Sequence, residues 1–434
     1  ELITNDYGIV LSEADHNRIE SNRLINNDYG IYPYLSHFNS ISNNMARKND
    51  YAVYLWDSSK NQVTGNDLKE NDGSGITLYF SDENIFQEND ANANEQYGIH
   101  LISSGYNQIV DNHFSNMSSG SGVYLEDSIA NNLAGNLVDD NYDCGMLLQN
   151  SSENFVENNT VRHNPTGIML SESSRNNKIY LNQLSQNNVN IILQKAHGNI
   201  LQENIISGDN RLGVHLNSSR QNRLIGNEIS KCQLGILLEH SNENNVSFGY
   251  VHDSENGITA RDSTRNSLDG NTLQRNKVGI RLDRSLQCIV KSNKILDNNN
   301  GIEMTDSMQN DLLGNEARSK EIGISLAGSS KNNITGNQIR DCRQGIKMVR
   351  CNLNILCFNN ISQNDNGMNL DEGVYPEESS ENLIYLNEFV DNTYDVHSFI
   401  SSNSWNSNEI LHYQYRGRGF FSKLGNYWAT ERAA

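Results

Sequence analysis

The chain has 434 residues, and its 33 basic and 53 acidic side chains give a formal charge of −20. Such a charge repels a phosphate backbone, which excludes nucleic acid as a partner. No run of 18 apolar residues exists to cross a membrane as a helix. Three prolines (Pro33, Pro165, Pro376) are too few for Pro-rich linkers between domains. Glu1 falls in mid-repeat without a Met or a signal-peptide pattern, so a processed or excised piece is expected.

In chain order, a Gly-aliphatic pair opens one short strand after another. It starts at Gly8-Ile9, Gly30-Ile31, Gly75-Ile76 and Gly98-Ile99 and runs to Gly345-Ile346 and Gly367-Met368, with Ala52-Val53 and Asn190-Ile191 filling two gaps. Steps are 22 to 24 residues, and six consecutive steps of 22 run from Gly213 to Gly345. Each repeat then carries Asn-x-(aliphatic or Phe)-x-x-Asn, as at Asn61–Asn66 and Asn332–Asn337, in 17 copies. Cys288 replaces the first Asn once, Gly249 replaces the second once, and a Ser commonly stands three residues before the first.

Apolar and polar residues alternate within each repeat, which is strand spacing, and helical spacing is absent. Short strands and bends in a fixed period make a coil whose turns pair in parallel, right-handed by the crossover rule. The expected fold is all-β: a right-handed parallel β-helix of 17–18 turns of about 22 residues, near 4.8 Å per turn and roughly 80 Å long. Stacked Asn amides would hydrogen-bond along the axis, so the Asn residues read as structural. Gly and Asn, which tolerate positive φ, are expected at the corners.

The six cysteines form no CxxC pair and share no position on adjacent turns, so they read mostly as buried free thiols, a Cys351–Cys357 contact being open but not implied by the repeat. Met146 and Met368 fall on core places. Near the far end, Asp371–Glu378 reads as an inserted acidic loop. The β-helix is expected over 1–398, with an aromatic segment at 399–434 (Trp405, Tyr413, Tyr415, Phe420, Phe421, Tyr427, Trp428) capping its open end.

The repeat Gly-Ile-x-Leu-x-x-Ser-x-x-Asn-x-Ile-x-x-Asn resembles the NosD-like, or CASH-type, β-helix family over almost the whole chain. The ending Trp405–Ser407 … Leu424–Trp428 resembles the close of such domains in secreted archaeal, methanogen-type surface proteins. There an acidic-aromatic pair commonly follows, where this chain has Ala429-Thr430-Glu431. The resemblance implies an extracytoplasmic β-helix. Its known activities span copper-site maturation, surface structure and polysaccharide chemistry, so it leaves the function open.

Two sets of candidate site residues follow. Tyr32, Tyr34, Tyr54, Trp56, Tyr79, His100 and Tyr124 fall on outward places of neighbouring turns and should form an aromatic strip. Seven sequons, at Asn116, Asn150, Asn158, Asn217, Asn245, Asn333 and Asn360, should also face outward as glycosylation candidates. Arg261, Arg281, Asp283 and Glu303 make a mixed-charge patch that reads as a salt-bridged surface.

The sequence therefore points to a non-catalytic extracellular protein of the cell surface, a structural rod or glycan-associated module that self-assembles. Its expected partners are copies of itself, other envelope proteins or polysaccharide. No cofactor, metal site or catalytic residue is expected, with a divalent cation such as calcium as the one addition. The alternatives are a polysaccharide lyase, epimerase or hydrolase, and a copper-handling protein.

Overall fold

The structure is a computed structural model that describes residues 1–207, 210–370, 379–399 and 401–429. The acidic loop expected at 371–378 lies outside the described residues. The chain divides into two units, Glu1–Arg223 and Leu224–Ala434. Each is a right-handed parallel β-helix.

In the first unit most turns have a long strand at the Gly-Ile pair and then two shorter ones, the turns of Gln62–Thr64 and Ile85–Gln87 keeping only isolated bridges at Asp67 and Asp90 in the third place. Tyr29–Tyr34 pairs in parallel with Tyr51–Trp56, which pairs with Ile76–Tyr79, then Ile99–Ile102 and Val123–Glu126. A second face stacks Arg18–Glu20, Ser40–Ser42 and Gln62–Thr64. The third stacks Arg23–Ile25 on Met45–Arg47. Inward residues at matched places, such as Ile31, Val53, Ile76 and Ile99, are fully buried and fill the core.

The corners are held by side-chain ladders. The backbone N–H and Nδ2 of Asn39 both donate to Asn61 Oδ1, at 2.9 and 3.1 Å. Asn61 repeats this on Asn84 and also donates to the Ser36 carbonyl at 3.0 Å. Every polar atom of a ladder Asn is thus satisfied although the residue is buried. A second ladder runs through Asn44, Asn66 and Asn89. A third, not seen in the repeat signature, links Asn5, Asn27, Asn49, Asn71 and Asn94, and Met117 takes one of its places. The Ser residues make a parallel ladder, with the Ser36 N–H donating to Ser58 Oγ at 3.0 Å.

Positive φ is placed differently from expectation. It falls on the residue just before each ladder position, whatever its type: Leu35 (47°), Phe38 (56°), Lys60 (61°) and Gly65 (63°). The ladder residues themselves and the Gly-Ile glycines lie outside the left-handed region. Those glycines are required by close approach instead, since a Cβ on Gly30 would lie 2.5 Å from the Ala52 carbonyl oxygen.

The second unit repeats the plan. Asn256–Arg261 pairs with Val278–Asp283, and the ladder Asn310, Asn332, Asn354, Asn382 ends on Asn403. Cys288 fills an Asn place and its N–H still donates to Asn310 Oδ1 at 2.8 Å. At Gly249 the backbone alone donates, to Asn271. All six cysteines are free and buried. Near the end, Tyr427–Ala429 pairs with Glu388–Val390, and Trp428 stacks on the buried Phe389 at 4.5 Å. Between them an antiparallel hairpin, Leu411–Tyr415 with Arg418–Ser422, leaves Phe421 and Tyr415 exposed.

Candidate functional site: an aromatic face on the first unit

The outward side of the long strands gathers aromatic rings from neighbouring turns. One column holds Val10 and Tyr32, then Tyr54 beside Thr77, His100 and Tyr124. The next column, two residues on, holds Tyr34, Trp56 and Tyr79. Ring centroids are 5.7 Å apart for Tyr32–Tyr54, 6.3 Å for Tyr54–Trp56 and 4.6 Å for Trp56–Tyr79. Tyr34 and Trp56 form the outer rim at 37 % and 38 % exposed.

A third column completes the surface: Tyr7, Tyr29 and Tyr51, stacked at 5.3 and 5.4 Å. Each directly precedes the Gly or Ala that opens its strand. The Tyr-Gly and Tyr-Ala dipeptides were the available signal. The seven residues expected as one strip divide into two groups. Thr77, only 3 % exposed, separates the first from a second made of Tyr97, His100 and Tyr124, where His100 and Tyr124 stack at 4.5 Å.

The rings are neutral hydrogen-bonding surfaces. Burial and then the neighbouring Tyr29 hydroxyl push the Tyr54 phenol up to about 12, so it stays a donor. Burial pushes His100 down to about 4, so its imidazole is uncharged at neutral pH. Its Nε2 lies 3.4 Å from Glu126 Oε2 without hydrogen-bond geometry. Beyond this stack a cavity of about 390 Å3 is lined by Asp143, Cys144, Gln149, Glu172 and Lys195, among others. Tyr124 joins face to cavity, its hydroxyl 3.0 Å from Gln149 Oε1.

The other sequence candidates are dispersed. Asn116, Asn150 and Asn158 are exposed, and Asn217, Asn245, Asn333 and Asn360 are half-buried at outward places. In the second unit, Arg281 pairs with Glu303 at 2.6 Å, and Arg261 lies 3.4 and 3.5 Å from Glu239 and Asp283. That patch is consumed by its own ion pairs.

A family model described as "Periplasmic copper-binding protein (NosD)" matches residues 1–121, 117–248 and 245–432. No curated protein matches the chain. Among solved structures, the chain is similar to the periplasmic alginate epimerase AlgG, at 14 % identity over 73 % of this chain and 76 % of that one, with a TM-score of 0.48. It is also similar to the mannuronan C-5 epimerase AlgE4 A-module of Azotobacter vinelandii, at 13 % identity over 86 % of this chain and 90 % of that one, with a TM-score of 0.38. The Dettilon tailspike protein gives 14 % identity over 70 % and 62 %, with a TM-score of 0.43.

Proposed function

The chain belongs to the NosD family, and on that premise we propose that it is a non-catalytic, glycan-associated module of the cell envelope, acting outside the cytoplasm. The observation that carries this reading is the three-column aromatic face. Flat rings stack on the apolar faces of sugars, and protonated tyrosines offer hydroxyls to sugar oxygens. A rigid strand scaffold holds the rings in place before binding, which limits the ordering cost. Turns advance about 4.8 Å, close to the advance of an extended glycan per sugar, so a polymer can lie along the axis with rings beneath successive units. Self-association along the same envelope is part of the proposal.

Affinity electrophoresis in gels cast with soluble polysaccharides tests it. The parent chain should be retarded by at least one neutral or basic glycan, and Tyr54→Ala with Trp56→Ala should release it. Equal retardation of parent and double variant would place the contact elsewhere.

The family description names copper, and the donor set here does not fit it. Copper(I) selects thiolate and thioether ligands. The six thiols are buried, and burial pushes Cys144 and Cys232 up to about 12 and Cys342 and Cys351 up to about 11. Met117, Met146, Met304, Met348 and Met368 are packed in the core, and of the thioethers nearer the surface Met308 stands exposed on the second unit while Met169 shares the first unit's cavity with the Cys144 thiol, which burial keeps protonated. Among the described residues the one group of three or more His, Cys, Asp or Glu with ligand atoms close together is Asp139, Asp140 and His163. It contains no sulfur, and Arg162 already donates to Asp139 Oδ2 at 2.8 Å.

One observation favours a second reading, a polysaccharide-active enzyme: Asp143, Glu172 and Lys195 line a single cavity at the end of the aromatic face. Release of reducing ends or unsaturated uronates, lost in Asp143→Asn with Glu172→Gln, would establish it in place of the binding role.

A further inference from the structure

A file of carboxylates borders the tyrosine column. The N–H groups of Asp28, Asp50, Asp72 and Glu95 donate to the carbonyls of Asn5, Asn27, Asn49 and Asn71 at 3.1, 3.1, 2.8 and 2.9 Å. They therefore occupy the same place on successive turns, and Asp6 precedes them. One carboxylate stands on each of five turns, about 4.8 Å from the next. The file runs directly beside Tyr7, Tyr29 and Tyr51. The charges of Asp28 and Asp50 reach the Tyr29 hydroxyl and, after burial and the neighbouring tyrosines, help hold it protonated.

Nothing in the fold calls for these charges. The following turns carry Ser118 and Tyr142 at the same place. Stacked like charges destabilise a sheet, and the Asp50 carboxyl is raised by burial and then by Asp28 and Asp72. Among the described residues no ion pair involves any of the five, whereas nearby Arg47 is taken by Asp67 and Glu70. An unneutralised acidic edge on an aromatic face repels uronates and sulfated glycans and attracts ammonium groups.

We propose that this face takes a glycan bearing free amines, with its pyranose rings on the tyrosines and one ammonium group per turn meeting the carboxylates of Asp6, Asp28, Asp50, Asp72 and Glu95. The inference rests on the glycan-contact reading and names its substrate class. Rings and carboxylates repeat with one period, so an amino-sugar polymer satisfies both at once. An uncharged polymer satisfies only the rings.

Titration calorimetry with hexamers of glucosamine, N-acetylglucosamine and galacturonic acid tests it on the whole chain. The glucosamine hexamer should bind about tenfold tighter than the acetylated one, with affinity falling as salt rises. Asp28→Asn with Asp50→Asn should erase most of that preference while leaving the acetylated hexamer unchanged. Its melting temperature should equal or exceed the parent's, because a repulsion is removed, so lost binding would not be unfolding. Tyr54→Ala should weaken both hexamers. Equal binding of amine and N-acetyl forms would overturn the charge selection and leave the glycan reading standing. Preference for galacturonate, with or without added calcium, would overturn it too. Oligolysine binding that matches glucosamine and ignores Tyr54→Ala would reassign the face to a basic protein. Binding of none of these, and of no polysaccharide in the gels, would remove the glycan reading itself.

Discussion

Asn61 shows what a single residue does in this fold. Its Oδ1 is the acceptor for both the backbone N–H and the Nδ2 of Asn39, and its own amide serves the Ser36 carbonyl. Asn61→Leu fits the volume and removes all of these at once. Each orphaned buried group costs about 1–3 kcal/mol, so chemical denaturation should show a loss of about 3 kcal/mol or more. A sequon residue outside the left-handed region, such as the half-buried Asn245 changed to Gln, should lie within about 0.5 kcal/mol of the parent. His100 gives a pH-dependent counterpart. Burial depresses its pKa from 6.5 to about 4 in the folded chain, so the unfolded chain takes up its proton first as pH falls. Its contribution is complete above pH 6.5 and is lost progressively toward pH 4. The melting temperature of His100→Gln should therefore fall less steeply than the parent's across that window. Parallel profiles would mean that the ring is not desolvated.

At the scale of the strand, the reach of sequence reading has a physical boundary. The period of the Gly-Ile and Asn places specifies the parallel coil because a stacked turn must repeat its inward residues. Alternation also reveals Tyr32, Tyr34, Tyr54 and Trp56, which lie on the far side of the core-facing Ile31, Val53 and Leu55. It fails for Tyr29 and Tyr51. By period 2 these should share the inward side of Ile31 and Val53, yet both are half-buried on the outer side, with buried Gly30 and Ala52 between. The chain turns at that small residue, which brings the Tyr29 ring within 5.1 Å of the Tyr32 ring. A local turn of this kind leaves no mark in the hydrophobic pattern, so the third tyrosine column and the carboxylate file beside it show only as the recurring Asp-Tyr-Gly and Asp-Tyr-Ala runs at Asp6, Asp28 and Asp50. At the other end, Ser407 and Leu424 are joined by a 2.9 Å backbone hydrogen bond, and the hairpin between them stands apart from the Asn ladders. Replacing residues 409–422 with a short Gly-Ser link should change the melting temperature little, while Trp428→Ala, which unstacks Phe389, should cost about 1 kcal/mol. The opposite ranking would show that the hairpin, not Trp428, protects the last turns.

For the whole molecule, the same backbone repeat recurs through both units while its outer surface changes character. In the second unit the corresponding outward places hold paired charges such as Arg281 and Glu303, and in the first they hold bare rings beside bare carboxylates. Ion pairs within the surface leave little for a ligand, whereas unpaired rings and carboxylates leave both stacking and charge available. The proposed glycan contact therefore belongs to the first unit's face rather than to the repeat. Trp56 reports on that face, and the remaining tryptophans, Trp405 and Trp428, lie in the second unit. The most direct measurement is the fluorescence of a chain carrying Trp405→Phe and Trp428→Phe, titrated with the glucosamine hexamer. Sugar stacking on the face should give a saturable blue shift of the Trp56 emission, with a midpoint equal to the calorimetric dissociation constant and an undiminished hexamer at the end of the titration. Calorimetric binding without any change in Trp56 emission, or a shortened hexamer, would contradict it.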